Sequence, residues 1–226
     1  DLCITDPPYN VAYEGSNGKT IQNDNMPEEQ FVSFLTAAFR QLQAALKPGA
    51  PFYIWHAETE GGAFRRSCTA ALGKVRQMLI WNKNSFTMGH QDYQWKHEAC
   101  IYGWTEGAAH YFVDDRTQAT VIEDKRIDIN KLKKDEMREL LRDIFSDNVS
   151  TTILNEDKPA RNDDHPTMKP VELVANAMLD GTQEDDIVLD AFGGSGTTII
   201  ASQQLKRRAR LMELDPHYCD VIIARW

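Results

Sequence analysis

The chain is predicted to be an α/β domain on a mostly parallel sheet flanked by helices. Short apolar runs alternate with helical stretches, as in strand–helix–strand units. One early strand runs into the proline pair Pro7-Pro8, and one late strand runs into Gly193-Gly194-Ser195-Gly196. Turns of both kinds belong at the carboxyl edge of an open sheet, where such folds bind ligands. The 226 residues, 42% of them hydrophobic, suffice for one domain with a sizeable core.

Residues 1–5 read as a strand that Asp6-Pro7-Pro8-Tyr9 must end, because proline supplies no donor to a ladder. Residues 10–25 are polar, contain Gly15, Asn17 and Gly18, and are expected to form a mobile loop. A helix is predicted to open at Pro27, with Glu28 and Glu29 in its first turn and Lys47-Pro48-Gly49 closing it. Phe31, Leu35, Ala38, Leu42 and Ala45 mark its buried stripe. Strands follow at 52–55, 75–81 and 99–104, the last two expected to pair antiparallel, with a helix at 62–72. The pattern loosens over 105–164, where a helix at 135–145 and a short strand at 151–154 are expected. Order returns with a helix at 171–179, a strand at 187–190, a helix at 197–205 and a strand at 209–213.

Bulk properties narrow the setting. No apolar run has the length of a membrane span, and no signal peptide stands at the front. Cysteines 3, 68, 100 and 219 lie at no pairing or metal-ligand spacing, which predicts reduced, buried thiols in a cytoplasmic protein. A metal reading of the stretch from His90 to His97 fails on spacing as well. The net charge of −9 argues against a surface that coats nucleic acid indiscriminately, yet is compatible with a local basic groove.

The glycine turn permits a sharp reversal and close ligand approach. Ile199 stands where a dinucleotide fingerprint needs its third glycine, no lysine follows for a P-loop, and Thr197 replaces the closing glycine of a nucleophile elbow. Glu213, placed at the end of the next strand about twenty residues on, has the spacing of an acidic ribose ligand. A nucleoside cofactor without phosphates fits, and S-adenosylmethionine is the candidate. Near the start, the Asp6 carboxylate and the Pro7 carbonyl can accept both hydrogens of an exocyclic amine on a flat ring. That frees a nitrogen lone pair otherwise delocalised into the ring. Tyr9 offers a face for a base taken out of a duplex, and the prolines fix this geometry in advance.

Asp6-Pro7-Pro8-Tyr9-Asn10, Phe192 to Thr198 and His165-Pro166-Thr167-Met168-Lys169-Pro170 together resemble the DNA amino-methyltransferases in their beta-type, permuted order. The resemblance implies a Rossmann-like S-adenosylmethionine-dependent methyltransferase fold, a mixed sheet with helices on both faces. It implies a catalytic half at 1–104, a target-recognition insert at 105–164 and a cofactor-binding half at 165–226. The family's preceding strand and helix are expected to be absent, as is a wall of the adenine pocket beyond Trp226. Implied catalytic residues are Asp6, Pro7, Pro8 and Tyr9. Implied cofactor residues are Thr167 and Lys169, near the methionine end, with Asp190, Phe192, Gly193, Gly194, Ser195, Gly196, Thr197 and Glu213. Double-stranded DNA is the implied partner, with no metal or membrane, and homodimerisation is left open. Asp6, where many cytosine-N4 enzymes carry serine, favours adenine N6. Cytosine N4, a protein glutamine or RNA base, and a non-catalytic DNA-binding module are the alternatives. Motif order argues against the glutamine and RNA reading, and intact Asp6, Tyr9 and Glu213 argue against the non-catalytic one. No Pro-Cys dipeptide is present for cytosine C5 chemistry.

Overall fold

The computed structural model describes residues 1–13, 21–88, 91–123 and 168–226. The helix and strand expected at 135–145 and 151–154 lie outside them. In chain order the elements are β1 (Leu2–Thr5), α1 (Glu28–Ala45), β2 (Pro51–His56), α2 (Gly61–Ala71), β3 (Val75–Thr87), β4 (Trp95–Trp104) and β5 (Val121–Glu123). Then come α3 (Val171–Gly181), β6 (Ile187–Asp190), α4 (Thr197–Gln204), β7 (Arg208–Leu211) and α5 (Pro216–Arg225). Among the described residues the sheet has seven strands in the order β5-β3-β4-β2-β1-β6-β7.

β1 pairs in parallel with both β2 and β6, and β7 extends the parallel set beyond β6. Only β4 runs the other way, against β2 on one side and β3 on the other. The sheet is therefore mixed, as expected. The amino end of β4 consequently lies at the same edge as the carboxyl ends of the parallel strands.

Side-chain alternation assigns the two faces. Leu2, Ile4, Tyr53 and Trp55 pack with Val174 and Met178 of α3 and Ala201 of α4. Cys3, Phe52 and Ile54 pack with Phe31, Leu35 and Phe39 of α1 and Phe64 of α2. β1 and β2 are buried along their whole length, as parallel strands covered on both faces must be. Each fully buried Phe or Leu contributes about 1.5–3 kcal/mol by leaving water, so both layers hold the β1 tip in place.

The differences from expectation have physical causes. Pro27 caps α1 with extended backbone (ψ 144°) instead of opening it, and its carbonyl accepts the Phe31 N–H at 2.9 Å. Phe39, not Ala38, completes the buried stripe, because the larger ring fills the gap beside Phe64, and Ala45 is exposed. β3 and β4 run beyond the sequence estimate because ladder pairing such as Asn82 with His97 holds polar residues in strand. β5, at three residues too short to read as a strand, adds to β3 in parallel register. β7 stops at Leu211, so Glu213 lies in the loop beyond it. The basic cluster after α4 acts locally: Arg207 donates to the carbonyls of Leu205 and Thr182.

Gly103 of β4 has no room for a side chain. A Cβ there would sit 2.5 Å from the Phe52 ring and 2.8 Å from the Lys74 carbonyl oxygen. Gly103→Ala is expected to destabilise the domain by about 1–3 kcal/mol through overpacking, measured by urea unfolding.

Candidate active site

Because β1 and β6 are neighbours, Asp6 just past one and Asp190 at the end of the other meet at the same sheet edge. Between them opens a cavity of about 400 Å³. Asp6, Pro7, Pro8 and Tyr9 line one part of it, with Lys169 and Trp55 beside them. Asp190, Phe192, Gly193, Gly194, Ser195, Thr197 and Glu213 line the other. The two motifs, distant in sequence, thus face one space. Thr167 lies outside the described residues. Gly196 is not at the cavity: its φ of +83° starts α4, and a Cβ on it would press on Ile222 of α5 at 3.0 Å.

The acceptor end is a closed hydrogen-bond network. Tyr9 donates its hydroxyl to Asp6 Oδ1 at 2.6 Å, and its ring meets Phe64 edge-on at 6.4 Å. Lys169 Nζ donates to Asp6 Oδ2 at 2.6 Å and to the Tyr9 hydroxyl at 2.9 Å. The same ammonium lies 3.0 Å from Glu98 Oε2, and Lys83 pairs with the other oxygen of Glu98. The Lys169 ammonium, expected near the methionine end of a cofactor, points into the acceptor motif. Only its carbonyl faces the other side, accepting Thr197 Oγ1 at 3.2 Å.

The charges of this network are set by competition between burial and pairing. Burial raises the Asp6 carboxyl, with Lys169 pulling the other way. Burial alone would lower Lys169, but Asp6 and Glu98 outweigh it and keep the ammonium protonated. Burial would likewise raise Glu98, yet Lys169 and Lys83 hold its carboxyl down at about 2. Glu98 and Lys83 escaped the sequence reading because they sit on the polar hairpin; the register of β4 brings them to this edge.

The cofactor end is ordered by two carboxylates. Asp190 accepts from Thr5 Oγ1 at 2.8 Å, Thr198 Oγ1 at 2.6 Å and the Phe192 N–H at 3.1 Å. Glu213 accepts the Gly194 N–H at 2.7 Å and the N–H groups of Leu214 and Asp215 at 2.9 Å. That explains why Glu213 serves from a loop: three backbone donors fix it. Gly193 approaches the chain beyond β7, its N–H bonded to the Met212 carbonyl at 2.8 Å. Among the described lining residues Lys169 is the sole Lys or Arg and is already paired, whereas Asp6, Asp24, Asp190, Glu213 and Asp215 are all carboxylates. This donor set suits a cationic, phosphate-free ligand and leaves nothing to neutralise a pyrophosphate.

The described ends of the loop after Tyr9 are pinned. The buried Asp24 carboxylate takes the N–H groups of Asn10 and Tyr13 at 2.6 and 2.7 Å, and Asn10 Oδ1 takes that of Met26. Asn23 and Asp24 line the cavity. His56 serves packing: it is fully buried and stacks on Phe64 at 5.2 Å. Among the described residues no His, Cys, Asp or Glu group is arranged to hold a metal ion, and no helix is long and apolar enough to cross a membrane.

Comparison with known proteins follows the same line. The family model for N6/N4 DNA methylases matches residues 1–224, and the chain belongs to that family. It is 24% identical over 234 residues to the type II methyltransferase M.BglII of Bacillus subtilis, spanning 98% of this chain and 62% of that protein. It is 22% identical over 240 residues to M2.DpnII of Streptococcus pneumoniae, spanning 98% and 80%. Among solved structures, the M1.HpyAVI–SAM complex superposes with a TM-score of 0.63 at 19% identity, covering 100% of this chain and 88% of that one. The cytosine-N4-specific PvuII DNA methyltransferase gives 0.66 at 15%, covering 100% and 78%. These likenesses establish the Rossmann-like methyltransferase fold.

Asp190 also sets a pH dependence. Burial, ahead of its three hydrogen bonds, pushes the carboxyl up from 3.8 to about 6. The folded state therefore binds the proton more tightly than the unfolded chain. The resulting stabilisation is full below about pH 4 and is lost as the pH rises through about 6. Between these limits the wild type should lose about 3 kcal/mol more than Asp190→Asn, as measured by denaturant unfolding at stepped pH.

Proposed function

We propose that this chain carries the methyl-transferring machinery of a DNA (adenine-N6) methyltransferase using S-adenosylmethionine and acting on a base flipped from the duplex. One observation carries the reading: an Asp-Pro-Pro-Tyr acceptor and a glycine turn flanked by Asp190 and Glu213 share one cavity at adjacent strand ends. The chain spans 62% of M.BglII, so the substrate and partners of the whole protein belong to the proposal.

The bound cofactor supplies a methyl group on a sulfonium cation. The protein's carboxylates favour that positive charge, and Gly193 and Gly194 let a nucleoside lie against bare backbone. Glu213, already oriented by three backbone amides, presents its carboxylate to a ribose hydroxyl pair. Asp6 and the Pro7 carbonyl accept the amino hydrogens, turning the nitrogen lone pair out of conjugation. That nitrogen would take the methyl group of a bound cofactor, whose sulfur keeps the electron pair of the broken bond. Asp6, which burial equips to take a proton, would receive the one the methylated nitrogen sheds. Tyr9, its ring held edge-on by Phe64, is the stacking platform. Residues 105–164 are assigned to target recognition. Asp6 supports adenine over cytosine as the acceptor base.

Tritiated methyl transfer to unmethylated plasmid DNA tests this directly, with Asp6→Ala expected to lower the rate at least ~100-fold. Glu213→Ala should weaken S-adenosylmethionine binding roughly tenfold by calorimetry. Digestion of labelled DNA should release N6-methyl-2′-deoxyadenosine; N4-methyl-2′-deoxycytidine would overturn the base assignment, and no label at all would overturn the activity.

A further inference from the structure

The acceptor carboxylate is not free. Tyr9 occupies Oδ1 of Asp6 and the Lys169 ammonium occupies Oδ2, each at 2.6 Å. An ammonium at that distance stands where an amino group accepted by Asp6 would stand, so Lys169 and the target amine compete for one oxygen. Lys169 is buried, with a side chain only 7% exposed, and cannot simply retreat to water. A second anion is already within reach. Glu98 Oε2 lies 3.0 Å from Lys169 Nζ, while Lys83 engages the opposite oxygen and keeps the carboxylate aimed. Glu98 enters from β4, the strand whose reversed direction puts its amino end at this edge.

We propose that Glu98 is a positioning residue for the acceptor base: it takes over the Lys169 ammonium when the target amine claims Asp6 Oδ2, so that no buried charge is stranded during entry. This role rests on the amino-methyltransferase reading above. It requires only a change of partner within the network and no proton transfer. Lys83 acts through Glu98, fixing the orientation of the receiving oxygen.

Two measurements test the inference. The first needs no substrate. Asp6→Asn imitates an Asp6 whose charge is no longer available, and Glu98 alone should then hold Lys169. Each of Asp6→Asn and Glu98→Gln is expected to lower Tm by about 2–4 °C and the double variant by about 10 °C or more; additive losses overturn the proposal. The second is kinetic: Glu98→Gln should raise the KM for unmethylated plasmid DNA roughly tenfold or more. Its calorimetric Kd for S-adenosylmethionine should stay within about twofold, and Glu98→Asp, which keeps the anion, should restore most of the loss. An unchanged KM while the wild type labels DNA overturns the role of Glu98 and leaves the methyltransferase reading standing. Absence of label from the wild type overturns that reading instead, and the melting cycle still decides whether Glu98 can seat Lys169 unaided.

Discussion

Thr5 donates a hydrogen bond to Asp190 across 185 residues of chain, and the parallel pairing of β1 with β6 makes that contact possible. Everything at the site follows from this adjacency. Two strands side by side and running the same way must release their following turns at the same edge. One turn is closed by prolines and ends in a carboxylate and a phenol. The other is opened by glycines and flanked by two carboxylates. Had either strand been reversed, the motifs would lie at opposite ends of the sheet.

The second organising feature is electrostatic. Anionic side chains dominate the described lining of the cavity, and the Lys169 ammonium is committed to both carboxylates of the acceptor network, Asp6 and Glu98. Burial raises Asp6 and Asp190, whereas Glu98, clamped between two lysines, stays strongly acidic. Neighbouring carboxyls are thereby driven to different proton affinities by their surroundings alone. The division matches their contacts: Asp6 holds Tyr9 and Lys169, Asp190 fixes the turn through Thr5, Thr198 and Phe192, and Glu98 sits between Lys169 and Lys83.

Much of this was legible in the residues. The parallel core strands are short and mostly apolar, so their limits were read within a residue or two, and 187–190 coincides with β6. The acceptor and glycine motifs carry their own punctuation in Pro7-Pro8 and Gly193-Gly194. What escaped was specified by pairing instead of composition. The polar outer part of the β3–β4 hairpin, the edge strand β5 and the place of Glu98 follow from ladder register, which no local pattern announces. The direction of the Lys169 side chain was not legible either, because a motif fixes a residue's place in the chain but not where a long side chain points. Gly196 was assigned to a ligand, but its missing side chain makes room for α5.

The distance in sequence between Thr5 and Asp190 also bears on how the molecule comes into being. A ribosome would release the opening strand well before its neighbour β6 exists, leaving an apolar segment with a vacant flank through most of synthesis. Contacts of such long range are slow to form and leave the nascent chain prone to aggregation until they close. Until β6 and the glycine turn emerge, the Asp6 motif has nothing across the cavity to face, and the site stays half built.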